Sequence, residues 1–315
     1  MSRAIIDQLK LPQDPIFVVG YPRSGTTLVQ ALLATQRNIY SLPETHFFNV
    51  INRKTVKTDD RGFVDAACLD QVFARIYEKI DLRFSRSEQK YIIKLAKKKK
   101  LLPKMLFEFI VYHYICEDIK DKDAESFRWV EKTPNHAYFL ESIFSVYPRA
   151  LFINIIRHPV PAIYSRKVNF PFNKDKPLDW LAKLWRRSVE ETEKFNRVHP
   201  GKLFSLKYED LTADLETGLT KMCDFVKVDL DLELINNHSA AAGRVTLESE
   251  VWKKKDEYRK ISNTNDKYRQ VVPPEDAALI ENLLADKMEQ YGYVSFFTNF
   301  PPSVDPAGGQ TFEKV

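Results

Sequence analysis

The sequence contains little cysteine and no long apolar run. Three cysteines, Cys68, Cys116 and Cys223, are spread over 315 residues. An odd number at wide spacing argues against a disulfide framework and against a C-x-x-C metal site, so we expect three reduced thiols. Because no stretch of about 18 consecutive apolar residues occurs, we expect no segment that spans a membrane.

A leader sequence and a strong net charge are also lacking. The first 20 residues contain no apolar core followed by a small-residue cleavage site, so we expect a cytoplasmic protein without stable membrane insertion. Hydrophobic residues make up 44% and charged residues 29%, which is typical of a globular chain and argues against a disordered one. The net charge of +5 is a mild excess that fits an anionic ligand. We expect no nucleic-acid partner.

Strands alternate with helices along the chain. The apolar runs Ile16–Gly20 and Leu151–Ile156 predict buried parallel strands, and residues 203–206 predict a third. The segment Thr26–Thr35 has helical apolar spacing directly after the first strand. This order predicts an α/β fold with three layers around a central parallel sheet.

The pattern also predicts how the chain is organised. We expect one domain over residues 1–298 and a flexible tail over 299–315. Residues 64–119 have helical spacing throughout, so a helical insertion at about 50–126 is expected to cover the active site. Residues 210–226 predict one more helix, with Thr212 as its N-terminal cap.

A glycine-containing loop follows the first strand and opens the helix after it. Residues 20–27, GYPRSGTT, match G-x-x-x-x-G-K-[ST] at both glycines and at Thr27, but Thr26 replaces the lysine. Turn glycines, backbone N–H groups and a helix N-terminus still form an anion cradle. Arg23 supplies a cation from inside this loop. We therefore expect a P-loop-like fold that binds phosphate.

The second strand ends on a cation where a nucleotide triphosphatase needs an Asp for Mg²⁺. Arg157 follows Leu151–Ile156 directly, and a guanidinium repels a metal ion but binds phosphate with two hydrogen bonds. The two features predict a nucleotide with phosphates at two places and no metal. A P-loop-type kinase and a non-catalytic nucleotide-binding module are the alternatives.

Four segments together resemble a known family. Residues 20–27 resemble the 5′-phosphosulfate loop of the sulfotransferases that use 3′-phosphoadenylyl sulfate (PAPS). Residues 156–165, IRHPVPAIYS, resemble the 3′-phosphate motif of that family, and EKTP at 131–134 and KYEDL at 207–211 extend the resemblance. The four segments stand in the family order between about residues 15 and 215.

The resemblance implies PAPS as co-substrate, adenosine 3′,5′-bisphosphate (PAP) as product, and no metal. It assigns the nucleotide to these residues: Arg23, Ser24, Gly25, Thr26, Thr27, Arg157, Ser165 and Tyr208. Candidates in the later basic segment 253–269 are Ser262, Lys267 and Arg269.

The spacing is similar to that of the tyrosylprotein branch. There a catalytic Glu follows the loop arginine, as Glu44 follows Arg23, and a lysine precedes the phosphate-binding arginine by some 25 residues, as Lys132 precedes Arg157. This chain departs from that branch after Glu44, because PETHFF is more similar to soluble bacterial sulfotransferases and those embedded in polyketide synthases. We therefore expect a hydroxyl or amine acceptor on a small molecule, a carbohydrate or a lipid-like molecule. A homodimer is compatible with the sequence.

Sulfuryl transfer needs a base for the acceptor and positive charge around sulfur. Glu44 is the first candidate for the base and His46 is the rival; in an extended segment both side chains would point to one face. Arg23 and Lys132 would neutralise the developing charge. The alternative is that Glu44 only pairs with Arg23 or Lys132, and that His46 is structural.

Two further patterns have a structural and a functional interpretation. The lysines at 97–100 end a helix, or attract an anionic partner. Several aromatic residues belong to the core or line the acceptor pocket: Phe47, Phe48, Trp129, Phe170, Phe172 and Trp180. The core interpretation is favoured for all of them except Phe47 and Phe48, which stand beside Glu44.

Overall fold

The computed structural model describes residues 11–12, 14–50, 56–79, 83–119, 127–237, 241 and 263–298. Within these residues, five parallel strands form one sheet in the order β2-β3-β1-β4-β5. The strands are β1 (Ile16–Gly20), β2 (Ile39–Ser41), β3 (Arg128–Lys132), β4 (Leu151–Ile156) and β5 (Leu203–Lys207). The central strand β1 is buried along its whole length, which explains its uninterrupted apolar run.

Helices flank both faces of this sheet. They are α1 (Thr26–Thr35), α2 (Phe47–Val50), α3 (Leu69–Lys79), α4 (Arg86–Lys97), α5 (Pro103–Ile119), α6 (Leu140–Val146), α7 (Pro159–Asn169), α8 (Leu178–Val198), α9 (Tyr208–Ala213), α10 (Leu215–Val226), α11 (Asn265–Arg269), α12 (Pro274–Leu283) and α13 (Ala285–Gln290). Short 3₁₀ turns cover Ala66–Cys68, Pro134–Tyr138, Pro171–Asn173 and Leu232–Asn237.

Side-chain alternation along β1 divides the core between the two faces of the sheet. Phe17 and Val19 pack with α3, α4, α5 and α6, whereas Ile16 and Val18 pack with α1 and α10. A third apolar cluster joins α7, α8 and α12. The three-layer α/β fold with a central parallel sheet is confirmed.

The long helical stretch is interrupted where the sequence predicts continuity. Residues 64–119 form a 3₁₀ turn and three helices, and α4 begins with a capping box in which Ser85 and Glu88 satisfy each other's backbone N–H groups. The four lysines at 97–100 are exposed at the end of α4, and Lys99 lies 3.7 Å from Asp59.

The predicted cap at Thr212 was wrong. Residues 208–226 form two helices, and Asp214 caps the second by accepting a hydrogen bond from the Thr217 backbone N–H at 3.0 Å. The Thr212 hydroxyl instead donates to the carbonyl of Tyr208 within α9. Thr212 lies inside α9, two residues before the N-cap position of α10, and Asp214 occupies that position.

Three sequence predictions concern features away from the sheet. Cys68, Cys116 and Cys223 are free thiols. Among the residues that the structure describes, no helix is long and apolar enough to cross a bilayer. The predicted tail at 299–315 lies outside the described residues, and the division into one domain stays a prediction.

Candidate active site

The phosphate loop connects β1 to α1 and needs both of its glycines. Gly20 has φ +146°, and a Cβ there would lie 2.5 Å from the carbonyl oxygen of Ile155 in β4. Gly25 has φ +99°, and its Cβ would lie 2.7 Å from the ring of Tyr208. Any side chain at either position would collide with the neighbouring strand or ring. The loop is therefore closely packed against β4 and α9.

Ser24 has a buried hydroxyl without an internal partner. Its residue is fully buried, and no described atom hydrogen-bonds to its Oγ. Unpartnered buried hydroxyls are rare in folded proteins and point to a ligand or water. Thr26, which is buried, and Thr27 form the first turn of α1 beside it. The loop thus offers a hydroxyl and a helix N-terminus at one place.

Arg157 extends from the end of β4 into a pocket of polar and aromatic groups. Its Nε donates to Asn265 Oδ1 at 2.8 Å, Nη1 to the carbonyl of Arg23 at 2.9 Å, and Nη2 to Thr264 Oγ1 at 2.9 Å. The guanidinium also lies 4.4 Å from the centre of the Tyr208 ring. One cation therefore joins the phosphate loop to the segment 263–265.

The charge of Arg157 is buried without a directly paired carboxylate. The residue is 5% exposed, and within the described part of the chain no carboxylate oxygen lies within 4.0 Å of its nitrogens. Burial lowers the pKa of Arg157, and Tyr208, Tyr268 and Glu209 partly oppose that effect. A buried cation of this kind favours an anionic ligand.

Arg23 and Ser165 meet beside Arg157. Arg23 Nε donates to Ser165 Oγ at 3.0 Å, and the Tyr268 hydroxyl donates to the same oxygen at 2.7 Å. Arg23 has φ +73°, a left-handed conformation that costs of order 1–3 kcal/mol and is held here by hydrogen bonds at both its carbonyl and its guanidinium. These contacts connect the loop to α7.

A second group of polar residues lies at the carboxyl ends of β2 and β3. Lys132, the last residue of β3, contacts Glu44 Oε1 through its ammonium group, and the Lys132 side chain is 1% exposed. His46 Nε2 lies 3.4 Å from Glu44 Oε2. The two oxygens of the Glu44 carboxylate therefore face different side chains, one the Lys132 ammonium group and the other the His46 imidazole.

The expected extended conformation was wrong at His46, although its side chain does meet that of Glu44. His46 has φ +51° and ends the extended segment, and α2 begins at the next residue. The backbone N–H of His46 donates to Thr133 Oγ1 at 3.2 Å. A left-handed turn, rather than strand alternation, brings the imidazole back toward the carboxylate.

The strand order of the sheet places Glu44, His46 and Lys132 at the same edge as the phosphate loop. β3 is the parallel neighbour of β1, and Lys132 is in register with Val18, two residues before the loop begins. Gln30 of α1 donates to the carbonyl of Leu42 at 2.7 Å, which ties the Glu44 segment to the helix that the loop opens. Carboxyl ends of parallel strands meet at one edge of a sheet, where α/β proteins bind their ligands.

Comparison with known proteins identifies this arrangement. A family model described as "Sulfotransferase family" matches residues 15–232, which are 218 of the 315 residues. The chain belongs to the sulfotransferase family. The family predicted from the four sequence segments is thereby confirmed.

Solved sulfotransferase structures have a similar fold. The sulfotransferase domain from the Synechococcus PCC 7002 olefin synthase superposes with a TM-score of 0.60 at 21% identity, covering 90% of this chain and 96% of that domain. The sulfotransferase domain from the curacin biosynthetic pathway gives a TM-score of 0.55 at 20% identity, covering 90% and 99%. At such identities the likeness concerns the fold.

One relative is much longer than this chain. An uncharacterised protein of Aquifex aeolicus (strain VF5) is 22% identical over 226 residues, which cover 68% of this chain and 25% of that protein. The match therefore spans about a quarter of the length of that relative.

Sequence reasoning missed several residues of this candidate site. Glu131 accepts hydrogen bonds from Thr45, Thr133 and His136, and Glu209 accepts them from His158, Asn265 and Tyr293. Both glutamates stand in segments that the sequence had singled out, EKTP and KYEDL. The side chains of the late basic segment that hydrogen-bond to Arg157 are Thr264 and Asn265, which have no local signal, and the centre of the Tyr268 ring lies 5.6 Å from its guanidinium.

The remaining candidates of the late basic segment lie elsewhere. Arg269 Nε lies 3.2 Å from Asp266, and Lys267 is exposed. Ser262 lies outside the described residues. Their roles stay predictions.

The aromatic candidates fall into two groups. Phe47, Phe48 and Trp129 are buried in the core, where Phe47 stacks on Phe107 with ring centres 4.8 Å apart. Phe172 and Trp180 are exposed, with relative exposures of 68% and 39%. The core interpretation therefore holds for Trp129 and fails for Phe172 and Trp180. The expectation that set Phe47 and Phe48 apart from the core was wrong, and Phe170 is half-buried.

Proposed function

We propose that this chain transfers a sulfuryl group from PAPS to a hydroxyl or amine of a small-molecule, carbohydrate or lipid-like acceptor. The observation that carries the proposal is the buried pair of Lys132 and Glu44 at the sheet edge that also holds the phosphate loop. A protein that only bound a nucleotide would need neither a buried ammonium nor an adjacent carboxylate at this edge. Both are useful to a group transfer between oxygen atoms.

The residues present fit a nucleotide with two phosphate positions. The unpartnered Ser24 hydroxyl, with Gly25, Thr26 and Thr27, would hold the 5′-phosphate at the start of α1. Arg157, whose buried charge lacks a directly paired carboxylate among the described residues, would hold the 3′-phosphate with Ser165. Tyr208 would lie beside the nucleotide, since its ring already packs against Arg157.

When bound, PAPS supplies the sulfuryl group and a phosphate leaving group. Glu44 would accept the proton of the acceptor O–H or N–H, and His46, 3.4 Å from Glu44, is the second candidate for that proton. Lys132 would stabilise the negative charge that develops in the transition state, and Arg23 would do so from the loop. Removal of one such donor typically costs about 3 kcal/mol of transition-state stabilisation.

Turnover with PAPS tests the proposal. The protein is incubated with PAPS and a panel of a phenol, an aliphatic alcohol, an amine and a sugar, and sulfated product and released PAP are quantified by mass spectrometry. We expect transfer by the wild type and a loss of about 100-fold or more in Glu44→Gln. Glu193→Gln is the matched control, because Glu193 forms a similar ion pair with Lys287 at 2.7 Å in another part of the chain.

Two outcomes would contradict the proposal. Phosphoryl transfer from ATP–Mg²⁺ without transfer from PAPS would identify a kinase. Tight binding of PAP with no transfer to any acceptor class would identify a binding module.

A further inference from the structure

The segment that carries Glu44 and His46 is held at two points by consecutive residues of β3. Adjacent side chains of a strand point to opposite sides of the sheet, so Glu131 and Lys132 diverge at the end of β3. The segment passes across this end. Glu44 contacts Lys132 on one side, and its neighbour Thr45 contacts Glu131 on the other.

On the Glu131 side, several hydrogen bonds converge on the carboxylate of that residue. One carboxylate oxygen, Oε1, accepts from the backbone N–H of Thr45 at 3.2 Å, from Thr45 Oγ1 at 2.8 Å and from Thr133 Oγ1 at 2.7 Å. The other oxygen lies 2.9 Å from His136 Nδ1. Since Thr133 Oγ1 also accepts the backbone N–H of His46, the same carboxylate orders Thr45 directly and His46 through Thr133.

Burial makes the hydrogen-bonded residues around the Glu131 carboxylate rigid. Glu131, Thr133 and His136 are fully buried, and Thr45 is 1% exposed. Although burial would raise the pKa of Glu131, the adjacent His136 and the two threonine hydroxyls outweigh it and lower that pKa below the usual range. The carboxylate therefore remains an acceptor for all four donors at neutral pH. Losing one partner of such a network leaves a buried group unsatisfied.

We propose that Glu131 is a positioning residue whose carboxylate, by holding Thr45, fixes the place of Glu44 and His46 relative to Lys132. The inference rests on the proposed function, in which Glu44 and Lys132 act on the reacting groups. Glu131 itself faces away from Lys132 and acts only through the segment. A displacement of about 1 Å in such a segment can lower a rate about 100-fold.

Substitutions of Thr45 test this inference most directly. Thr45→Val removes the hydroxyl but keeps the side-chain shape and the backbone N–H, whereas Thr45→Ser keeps the hydroxyl. Thr192→Val is the matched control, because Thr192 is also 1% exposed and its hydroxyl donates to the carbonyl of Val189 at 2.8 Å and accepts from Asn154 Nδ2 at 3.3 Å. The readouts are kcat, KM for PAPS, and the dissociation constant of PAP.

We expect Thr45→Val to lower kcat about 10- to 100-fold with the PAP dissociation constant within about twofold of the wild type. Thr45→Ser should restore most of kcat, and Thr192→Val should leave kcat unchanged even if it lowers the melting temperature. An equal loss of kcat in Thr45→Val and Thr192→Val, or no loss in Thr45→Val, would overturn the inference.

Crystal structures of the two Thr45 variants with PAP separate this inference from the proposed function. We expect the Glu44–Lys132 contact to be lost in Thr45→Val and kept in Thr45→Ser. If the wild type shows no turnover, the proposed function fails while this comparison still decides the inference. An unmoved Glu44 in Thr45→Val would refute it.

Discussion

The candidate site has two halves that are built in different ways: one that we propose to bind the nucleotide and one that we propose to carry out the transfer. The nucleotide half, with Arg23, Arg157, Ser165 and Tyr208, closes around a loop whose glycines pack directly against β4 and α9. The transfer half, with Glu44, His46, Glu131 and Lys132, joins residues more than 80 positions apart across the ends of β2 and β3. The first half depends on backbone conformation, and the second depends on hydrogen bonds between buried side chains.

The charges of the two halves differ in a corresponding way. Arg157 is a buried cation that has no directly paired carboxylate among the described residues, so this half is incomplete without an anion. Lys132 already contacts Glu44, so its charge is balanced within the protein. We infer that the charge of Arg157 in the nucleotide half contributes to ligand binding, and that the charge of Lys132 in the transfer half contributes to the reaction.

The largest expected effect comes from breaking the transfer half alone. Lys132→Met should lower kcat by about 10²- to 10³-fold, because the transition state loses a cation, with the PAP dissociation constant within about threefold. It should also destabilise the fold by about 3–5 kcal/mol, since Glu44 loses its buried partner. Steady-state kinetics, calorimetric titration and urea unfolding measure these quantities.

Lys287→Met controls for the loss of a buried ion pair elsewhere. The Lys287 side chain is 11% exposed and pairs with Glu193, so this variant should lose stability but keep kcat. Equal kinetic losses in the two lysine variants would mean that Lys132 serves only the fold.

A second expected effect is the pH dependence of the free energy of unfolding, and it also concerns the transfer half. The pKa of Glu131 lies below its ordinary value in the folded protein, so its network contributes stability at pH values above the unfolded pKa of about 4.5. This contribution is lost as the pH falls through the lower folded pKa. The free energy of unfolding of the wild type should therefore fall below pH 4.5, and that of Glu131→Gln should be less dependent on pH in this range.

Urea unfolding at a series of pH values between 3 and 7 measures this difference. Parallel curves for the wild type and Glu131→Gln would show that Glu131 is not the group that links acid to unfolding.

The smallest expected effect concerns the nucleotide half and the affinity for PAP. Tyr208→Phe removes the hydroxyl that contacts Thr264 Oγ1 at 3.1 Å and accepts the backbone N–H of Thr264 at the same distance, but it keeps the ring that packs on Arg157. Loss of such hydrogen bonds costs about 1 kcal/mol, so PAP should bind about fivefold more weakly while kcat changes little. A change in kcat larger than the change in PAP affinity would connect Tyr208 to the transfer half instead.

The same contrast explains what the sequence could predict. The phosphate loop and Arg157 lie directly after strands, so short segments identify them. Glu44 and Lys132 also carried local signals, but their contact depends on β3 inserting between β1 and β2, which no single segment specifies.

Other residues could not be found from the sequence. Glu131 gains Thr45 as a partner only when the Glu44 segment crosses the end of β3, and the left-handed conformation of His46 in that segment has no glycine to indicate it. Thr264 and Asn265 follow a charged stretch without periodicity, and only the fold brings them to Arg157. The three-layer architecture was predictable because strand and helix periods alternate over long distances.

Isothermal titration with PAP tests the division between the two halves most directly. The account predicts binding to the wild type without Mg²⁺, a loss of about 100-fold or more in affinity in Arg157→Ala, and unchanged affinity in Glu44→Gln. Equal affinity of the wild type and Arg157→Ala for PAP, together with tighter binding of ATP–Mg²⁺, would contradict it.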